Sequence, residues 1–543
     1  MGLDRILFVA AVSFGLCLGF SSSAPALETL LQSDRDVEVH GATDDDFITS
    51  PSAQDPHGVR VCDLNGDGYG DLVVGAPRYS PYGRVYVVFG EEGLSDSSWD
   101  LLSDADFTVK GSSASTEISG SLACGDVNGD SIEDLVIGAP EAGTYGGLVY
   151  VVFGSASLSG DLDLASDSAD ITVTGSGGAG QLGRDVVVAD FNDDGIGDLV
   201  IGEPGADPDP DGLGARTDAG MVHVLFGSAT PPANVDLSTD AADVTIHGVN
   251  ENGAYPPSRI GHRVDTGDFD GDGIDDIVFG YYHAETLGWS NPGYPGIFFG
   301  LLGSSTPAAD YDLAYGNYDF RVFGSDDEYG LGEEIATGDL DGDGYHELIL
   351  LANDGSPPSV HVVPGSAGIA GTNADIETLQ VQRIQFDSSY EGYGRLATGD
   401  VNLDGRADLL IGNPYVSFGS VPWAGEALLF LGKSTLDPWL DADSDADLIV
   451  QGEDSGGTLG QQVAMGSLNG AAASGLILAA PAADVGSRNG AGKVFVFHGF
   501  EVMMALLAGV SGVPIATPIG IGILMLALGT AGVRRLARGA RKA

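Results

Sequence analysis

A nine-residue acidic loop running straight into an apolar strand recurs along this chain, and no other feature limits its fold so tightly. The first copy is Asp63 to Pro77, DLNGDGYGDLVVGAP. Others begin at Asp126 (DVNGDSIEDLVIGAP), Asp190 (DFNDDGIGDLVIGEP), Asp268 (DFDGDGIDDIVFGYY), Asp339 (DLDGDGYHELILLAN) and Asp400 (DVNLDGRADLLIGNP). A seventh, at Ser467 (SLNGAAASGLILAAP), keeps the strand and lacks the acids. The spacing, roughly 60 to 80 residues, suits a four-stranded propeller blade rather than a solenoid unit of ~20 to 45 residues.

Each acidic loop offers side-chain oxygens at positions 1, 3, 5 and 9 and a backbone carbonyl at position 7, enough to wrap one hard cation. The expected ligands are Asp63, Asn65, Asp67, Tyr69 and Asp71 in the first loop and Asp126, Asn128, Asp130, Ile132 and Asp134 in the second. The third and fourth supply Asp190, Asn192, Asp194, Ile196 and Asp198, then Asp268, Asp270, Asp272, Ile274 and Asp276. The fifth and sixth supply Asp339, Asp341, Asp343, Tyr345 and Glu347, then Asp400, Asn402, Asp404, Arg406 and Asp408. Calcium (Ca2+) takes six to eight oxygens in flexible geometry, whereas magnesium demands a strict octahedron and keeps its waters, so up to six structural calcium sites are expected. Gly68 permits the sharp turn; the second loop has Ser131 in its place, and filling of that loop is left open. The loop is not an EF-hand, because position 12, which would need a bidentate Glu, is Val74.

From Val37 to Gly499 four strand signals repeat in order: a short stretch ending in Gly (VEVHG, DFTVKG), a run into the acidic loop, the strand leaving it (LVVGAP), and an apolar run closed by Gly (GRVYVVFG, GLVYVVFG). β-Branched and aromatic residues fill these runs and Gly and Pro punctuate them, which excludes long helices. The GAP of VVGAP and VIGAP, the FG of VVFG and the acidic loop between inner strands resemble the FG-GAP repeat family of the integrin α-subunit N-terminal β-propeller. The resemblance implies an all-β fold: a seven-bladed β-propeller of four-stranded antiparallel blades. A closed ring also leaves no long sheet edge exposed. Because no V-x-G strand follows GKVFVFHG at 492–499, VEVHG at 37–41 is expected to be the outermost strand of the seventh blade.

The 84 glycines suit many tight turns, and a formal net charge of -57 argues against nucleic acid as a partner. Only 20 of the carboxylates occupy loop ligand positions, so most of the negative charge is expected to serve solubility. Residues 1–26 read as a secretory signal, with Arg5, an apolar run and Ala24-Pro25-Ala26. Residues 500–512 read as a linker. Residues 513–533 read as an apolar transmembrane or sorting helix, and 534–543 as a basic cytoplasmic tail. These segments predict an exported protein anchored at the cell surface, its tail retained or removed by a sorting protease. Cys17 lies in the leader, and Cys62 and Cys124, offset by one residue relative to their loops, are expected to be free buried thiols.

No G-x-S-x-G elbow, H-E-x-x-H or Walker loop is present, so the chain is expected not to be an enzyme. The longest connections, 205–219, 249–260 and 281–295, lie on the rim opposite the acidic loops. They carry Tyr255, Tyr281, Tyr282, Trp289 and Tyr294, which either pack under their own loops or anchor a ligand. The expected function is adhesion or recognition of a protein or glycan at the cell surface. The alternative is an extracellular propeller enzyme acting on polysaccharide, as lyase or hydrolase.

Overall fold

The computed structural model describes residues 28–31, 35–42, 58–77, 82–94, 97–112, 118–143, 145–212, 214–249, 259–281, 296–324, 331–352, 358–379, 381–386, 394–499 and 502–503. The leader, the linker apart from residues 502–503, the C-terminal helix and tail, and Tyr255, Tyr282, Trp289 and Tyr294 lie outside the described residues. Among the described residues no helix is long and apolar enough to cross a membrane.

Seven sheets form, one per repeat. The innermost strands are Val59–Cys62, Ser121–Gly125, Val186–Ala189, Arg263–Gly267, Leu331–Gly338, Leu396–Gly399 and Gln462–Gly466. Each packs against the next and the last against the first, which closes a seven-bladed β-propeller. In the first blade Val59–Cys62, Asp71–Ala76, Arg84–Val88 and Phe107–Lys110 pair antiparallel from axis to edge. Asp71–Ala76 and its equivalents in the other blades are buried along their length, save the half-buried Tyr281 that ends the fourth, because neighbouring blades cover both faces of each sheet. That double burial is why LVVG and LVIG read as continuous apolar runs rather than as alternation. The cores accordingly lie between blades: Val59, Leu72 and Val74 of the first pack on Ile477, Val494 and Val496 of the seventh.

Each blade has a fifth, parallel strand that the sequence pattern does not announce. Gly160–Asp163 leaves the second repeat to pair beside Phe107–Lys110 of the first blade, then the chain returns to its own blade. Asn234–Asp236, Asp310–Asp312, Asn373–Asp375 and Trp439–Asp441 make the same excursion. These strands are three or four residues long and polar, so they carry no hydrophobic period. The Asp that ends such a strand commonly caps a single helical turn, as Asp100 does by accepting from the N–H of Leu102.

Val37–His40 pairs antiparallel with Lys493–Phe497, so the N-terminal ribbon does fasten the ring. It is the fourth strand and not the outermost, because Ser97–Asp100 pairs parallel outside it. Glu28–Leu31 pairs parallel with Leu448–Gln451 and supplies the fifth strand of the sixth blade.

Cys62 and Cys124 are joined by a disulfide, with Cα atoms 6.1 Å apart, which corrects the expectation of free thiols. Side chains alternate between the two faces of a strand. For two adjacent inner strands to point at each other across a blade boundary, their residues must differ by an odd step. The one-residue offset therefore brings the two sulfurs together.

Candidate metal centres and the axial polar ring

In every acidic loop the first Asp draws the turn closed. Asp63 accepts from the N–H groups of Asp67 (3.0 Å) and Gly68 (2.8 Å), and Asp126 from Asp130 and Ser131. Asp190, Asp268, Asp339 and Asp400 accept from the corresponding residues, Asp194 and Gly195, Asp272 and Gly273, Asp343 and Gly344, and Asp404 and Gly405. Position 6 lies in the left-handed region, with φ of 85° at Gly68, and Ser131 adopts the same turn at 69°. The fifth-position carboxylates of Asp67, Asp130, Asp194, Asp272, Asp343 and Asp404 accept from the N–H two residues on, that of Tyr69, Ile132, Ile196, Ile274, Tyr345 and Arg406. At position 3, Asn65, Asp270, Asp341 and Asn402 accept from the N–H of position 5, while Asn128 and Asn192 turn their amides toward Asp134 and Asp198.

The closing acid is the buried member. Asp71 accepts from the N–H groups of Leu64 (2.9 Å) and Gly90 (3.1 Å), so the Gly of the FG motif ties the third strand to the loop. Asp134, Asp198, Asp276 and Asp408 do the same with Gly154, Gly227, Gly303 and Gly432. Burial pushes each of these five carboxyls up to about 7, against the opposing pull of those N–H donors. Glu347 is pushed up by burial to about 8. Its Oε2 accepts from the N–H of Leu340 (2.7 Å), and its Oε1 is buried without a hydrogen-bond partner.

Two loops bring three carboxylates to one point: Asp268, Asp270 and Asp276, and Asp339, Asp341 and Glu347, each set with ligand atoms within 4.8 Å of one another. These are the loops with Asp rather than Asn at position 3. The donor set is all oxygen, and the orphaned Glu347 Oε1 lies in one of the clusters, so the residues fit a hard divalent cation. A carboxylate that burial holds toward its protonated form and that crowds two others gains most from a cation in the proton's place. Such an ion would neutralise charge and hold the hairpin, with the named carboxylates as its ligands.

The loops are also bonded to one another around the whole ring. Backbone N–H groups of Gly70, Gly197, His346, Ala407 and Ser474 donate to the carbonyls of Ser467, Asp126, Asp268, Asp339 and Asp400 in the preceding loop. At the two remaining boundaries an acid takes over. Glu133 accepts from the Asp63 N–H (2.6 Å) and Asp275 from the Asp190 N–H (2.9 Å).

A second constellation, missed from sequence, circles the axis. Five residues before each loop's first position stand Gly58, Ser121, Asp185, Arg263, Glu334, Arg395 and Gln462. Ser121 Oγ donates to Asp185 (3.1 Å), and Asp185 accepts from the Val264 N–H (3.1 Å). Arg263 Nε donates to the Glu333 carbonyl (2.9 Å), and Glu334 lies 3.4 Å from Arg263 and 3.2 Å from Arg395. Gln462 accepts from the Gly58 N–H (3.2 Å). Burial pushes Asp185 up to about 6, opposed first by Arg263, and pushes Asp265 up to about 7. His262 is held well below its ordinary value by burial and then by Arg184, Arg263, Arg259 and Arg395. The constant five-residue offset was the available signal, but the residue types differ from blade to blade and hide it.

Both constellations belong to a closed propeller with cation-ready inner hairpins. It carries FG-GAP repeats: the FG-GAP repeat model matches residues 56–88, 120–152, 182–225 and 393–430. Human phosphatidylinositol-glycan-specific phospholipase D is 35% identical over 229 residues, 40% of this chain and 26% of that protein. The rat protein of the same name is 37% identical over 196 residues, 34% and 22% of the two chains. Mouse integrin alpha-IIb is 35% identical over 162 residues, 28% of this chain and 15% of the integrin. The chain thus spans about a quarter of the length of the phospholipases it matches. Among solved structures, rhamnogalacturonan lyase YesW aligns over 76% of this chain and 69% of its own at 14% identity, with a TM-score of 0.31, too low to carry an argument. The expectation of a protein that is not an enzyme is overturned by the phospholipase relationship, since those relatives are enzymes by name.

Proposed function

We propose that this chain belongs to an exported, surface-attached enzyme that acts on glycan-bearing substrates and is built on a calcium-stabilised propeller. The observation that carries the reading is the 35% identity across 229 residues with a phospholipase named for a glycosylated inositol lipid. In this reading up to six calcium ions sit in the acidic loops as structural ions. The segment 513–533 holds the protein at the membrane, and substrate meets the opposite rim. A second reading, adhesion to a protein or glycan, is favoured by the 35% identity to integrin alpha-IIb.

The test is turnover. The full chain is incubated with glycosylphosphatidylinositol-anchored protein and with acidic and neutral polysaccharides, and products are followed by mass spectrometry. Release of a glycan fragment supports the enzyme. Calcium-dependent binding to cells without any product supports adhesion instead.

A further inference from the structure

The fourth and fifth acidic loops, which begin at Asp268 and Asp339, are neighbours in the ring and the two in which three carboxylates meet. Their closing acids differ in one respect. The closing Asp of loops one, two, three, four and six gives one oxygen to the N–H of the glycine that ends its blade's third strand run, as Asp276 does to Gly303 at 2.8 Å. Glu347, one methylene longer, is 1% exposed and keeps Oε1 without a hydrogen-bond partner. One of its carboxylate oxygens lies within 4.8 Å of oxygens from both Asp339 and Asp341. A buried carboxylate oxygen that meets no donor is costly until a cation meets it. Loop five is therefore the loop with most to gain from an ion.

Two consecutive residues of loop five grip loop four. The His346 N–H donates to the Asp268 carbonyl at 2.8 Å. The His346 ring lies against Gly267, where a Cβ would come within 2.7 Å of Nδ1, and the Tyr345 ring lies against Gly271, where a Cβ would come within 2.5 Å of Cε1. Asp268, the first ligand position of loop four, stands between those two glycines, while positions 7 and 9 of loop five, Tyr345 and Glu347, flank His346. A second tie runs further out. The Ser366 N–H donates to the Phe269 carbonyl (2.9 Å), and the Phe269 N–H donates to the Asp276 carboxylate (2.8 Å). The main chain that must be in place for one ion is thus bonded to the main chain that must be in place for the other.

We propose that loops four and five bind two divalent cations as a coupled pair, loop five filling first and its ion raising the affinity of loop four. The proposal rests on the structural-cation reading above and adds to it an order and a coupling. An ion on Asp339, Asp341 and Glu347 fixes residues 345–347. That segment in turn holds Gly267, Asp268 and Gly271, so the second ion has less chain to order and binds more tightly. Coupling of this kind changes affinity by a factor of about 5 to 150 and acts in both directions.

Hydrogen exchange of the full chain tests this. Read by mass spectrometry on peptides from each loop during a calcium titration, it gives every loop its own midpoint. Loop five is expected to be protected at the lowest calcium, with loop four following. Asp339→Ala, which removes the first ligand of loop five, should move the loop-four midpoint to at least ~5-fold higher calcium. Tyr345→Ala keeps every oxygen ligand of both loops and takes the ring away from Gly271; loop four should again shift upward while loop five still fills. Glu347→Asp restores the closing acid used in the other loops and should cost loop five its lead. Loop two shares no blade boundary with loop four or loop five, so its midpoint should stay fixed in all three variants, which also reports that the ring remains folded. A loop-four midpoint that ignores Asp339→Ala and Tyr345→Ala would overturn the coupling and leave the structural-cation reading standing. A loop five that fills no earlier than the others would overturn the order. Exchange in all six loops that ignores calcium would remove the cation reading itself.

Discussion

The carboxylate of Glu133, in the second acidic loop, accepts a 2.6 Å hydrogen bond from the backbone N–H of Asp63, the first ligand position of the first loop, 70 residues away. Most blade boundaries make this tie with a backbone carbonyl, so here a side chain carries a bond that elsewhere belongs to the main chain. Glu133→Ala leaves the Asp63 N–H without its acceptor, and an unsatisfied group of this kind costs about 1 to 3 kcal/mol. Glu133→Gln keeps an acceptor and should cost less. Thermal unfolding of the two variants should rank Ala below Gln below wild type; equal melting temperatures would remove the bond's energetic role.

Removal of divalent cations should lower the melting temperature by many degrees. Each site with free calcium at ~10 to 100 times its dissociation constant adds about 1.4 to 2.7 kcal/mol. Asp268→Ala and Asp339→Ala, which remove the first ligand in the two loops where three carboxylates converge, should each reduce bound calcium by one equivalent, measured by equilibrium dialysis and elemental analysis. A melting curve unchanged in excess chelator would sink the structural-cation reading.

The axial ring predicts a pH dependence of its own. Asp265 is raised by burial from its ordinary range to about 7 in the folded state, so the folded protein holds a proton that the unfolded chain releases near pH 4. Its favourable contribution is therefore complete below the unfolded value and is lost as pH climbs through the folded one. Asp265→Asn removes that dependence. The difference in stability between Asp265→Asn and wild type at saturating calcium should be smallest below pH 4, grow to about pH 7 and then level off. Each pKa unit is worth about 1.4 kcal/mol. A difference that stays flat with pH would contradict the burial of an ionisable Asp265.

The disulfide should matter more than its sequence context suggests. Cys62 and Cys124 are 62 residues apart, and closing a loop of that length constrains the unfolded chain by roughly 4 kcal/mol in the chain-entropy treatment. Cys62→Ala with Cys124→Ala should show a lowered denaturant midpoint in oxidising buffer, and the variant should be insensitive to reductant. Equal midpoints for wild type with and without reductant would count against the bond.

Closure by the N-terminal ribbon predicts a strong effect at Val39, fully buried in the core between the seventh and first blades. Val39→Asp places a charge in that core and should open the ring, seen as raised protease sensitivity of the seventh blade and loss of cooperative unfolding. Glu38→Ala, on the same strand, should be far milder because Glu38 is half-buried and lies against Arg35, His40 and Lys493. Similar behaviour of the two variants would argue against the ribbon's role.

Much of this protein is decided by local chemistry that can be read in a line. The Asp, Asn and Gly spacing of the loops, the β-branched runs after them and the seven-fold recurrence specify hairpins that cannot bury both faces alone, and hence a ring. The closing role of Val37–His40 follows from repeat phase for the same reason. Tertiary structure decided what depends on the partner across a blade boundary. The one-residue offset of Cys62 and Cys124 joins them because facing strands alternate, and the short parallel fifth strands form because an exposed edge accepts main-chain bonds whatever the side chains. The axial circle of Ser121, Asp185, Arg263, Glu334 and Arg395 exists only when seven strands meet. Each of these residues meets a neighbour some 60 to 80 positions distant, and no local pattern records so remote a partner.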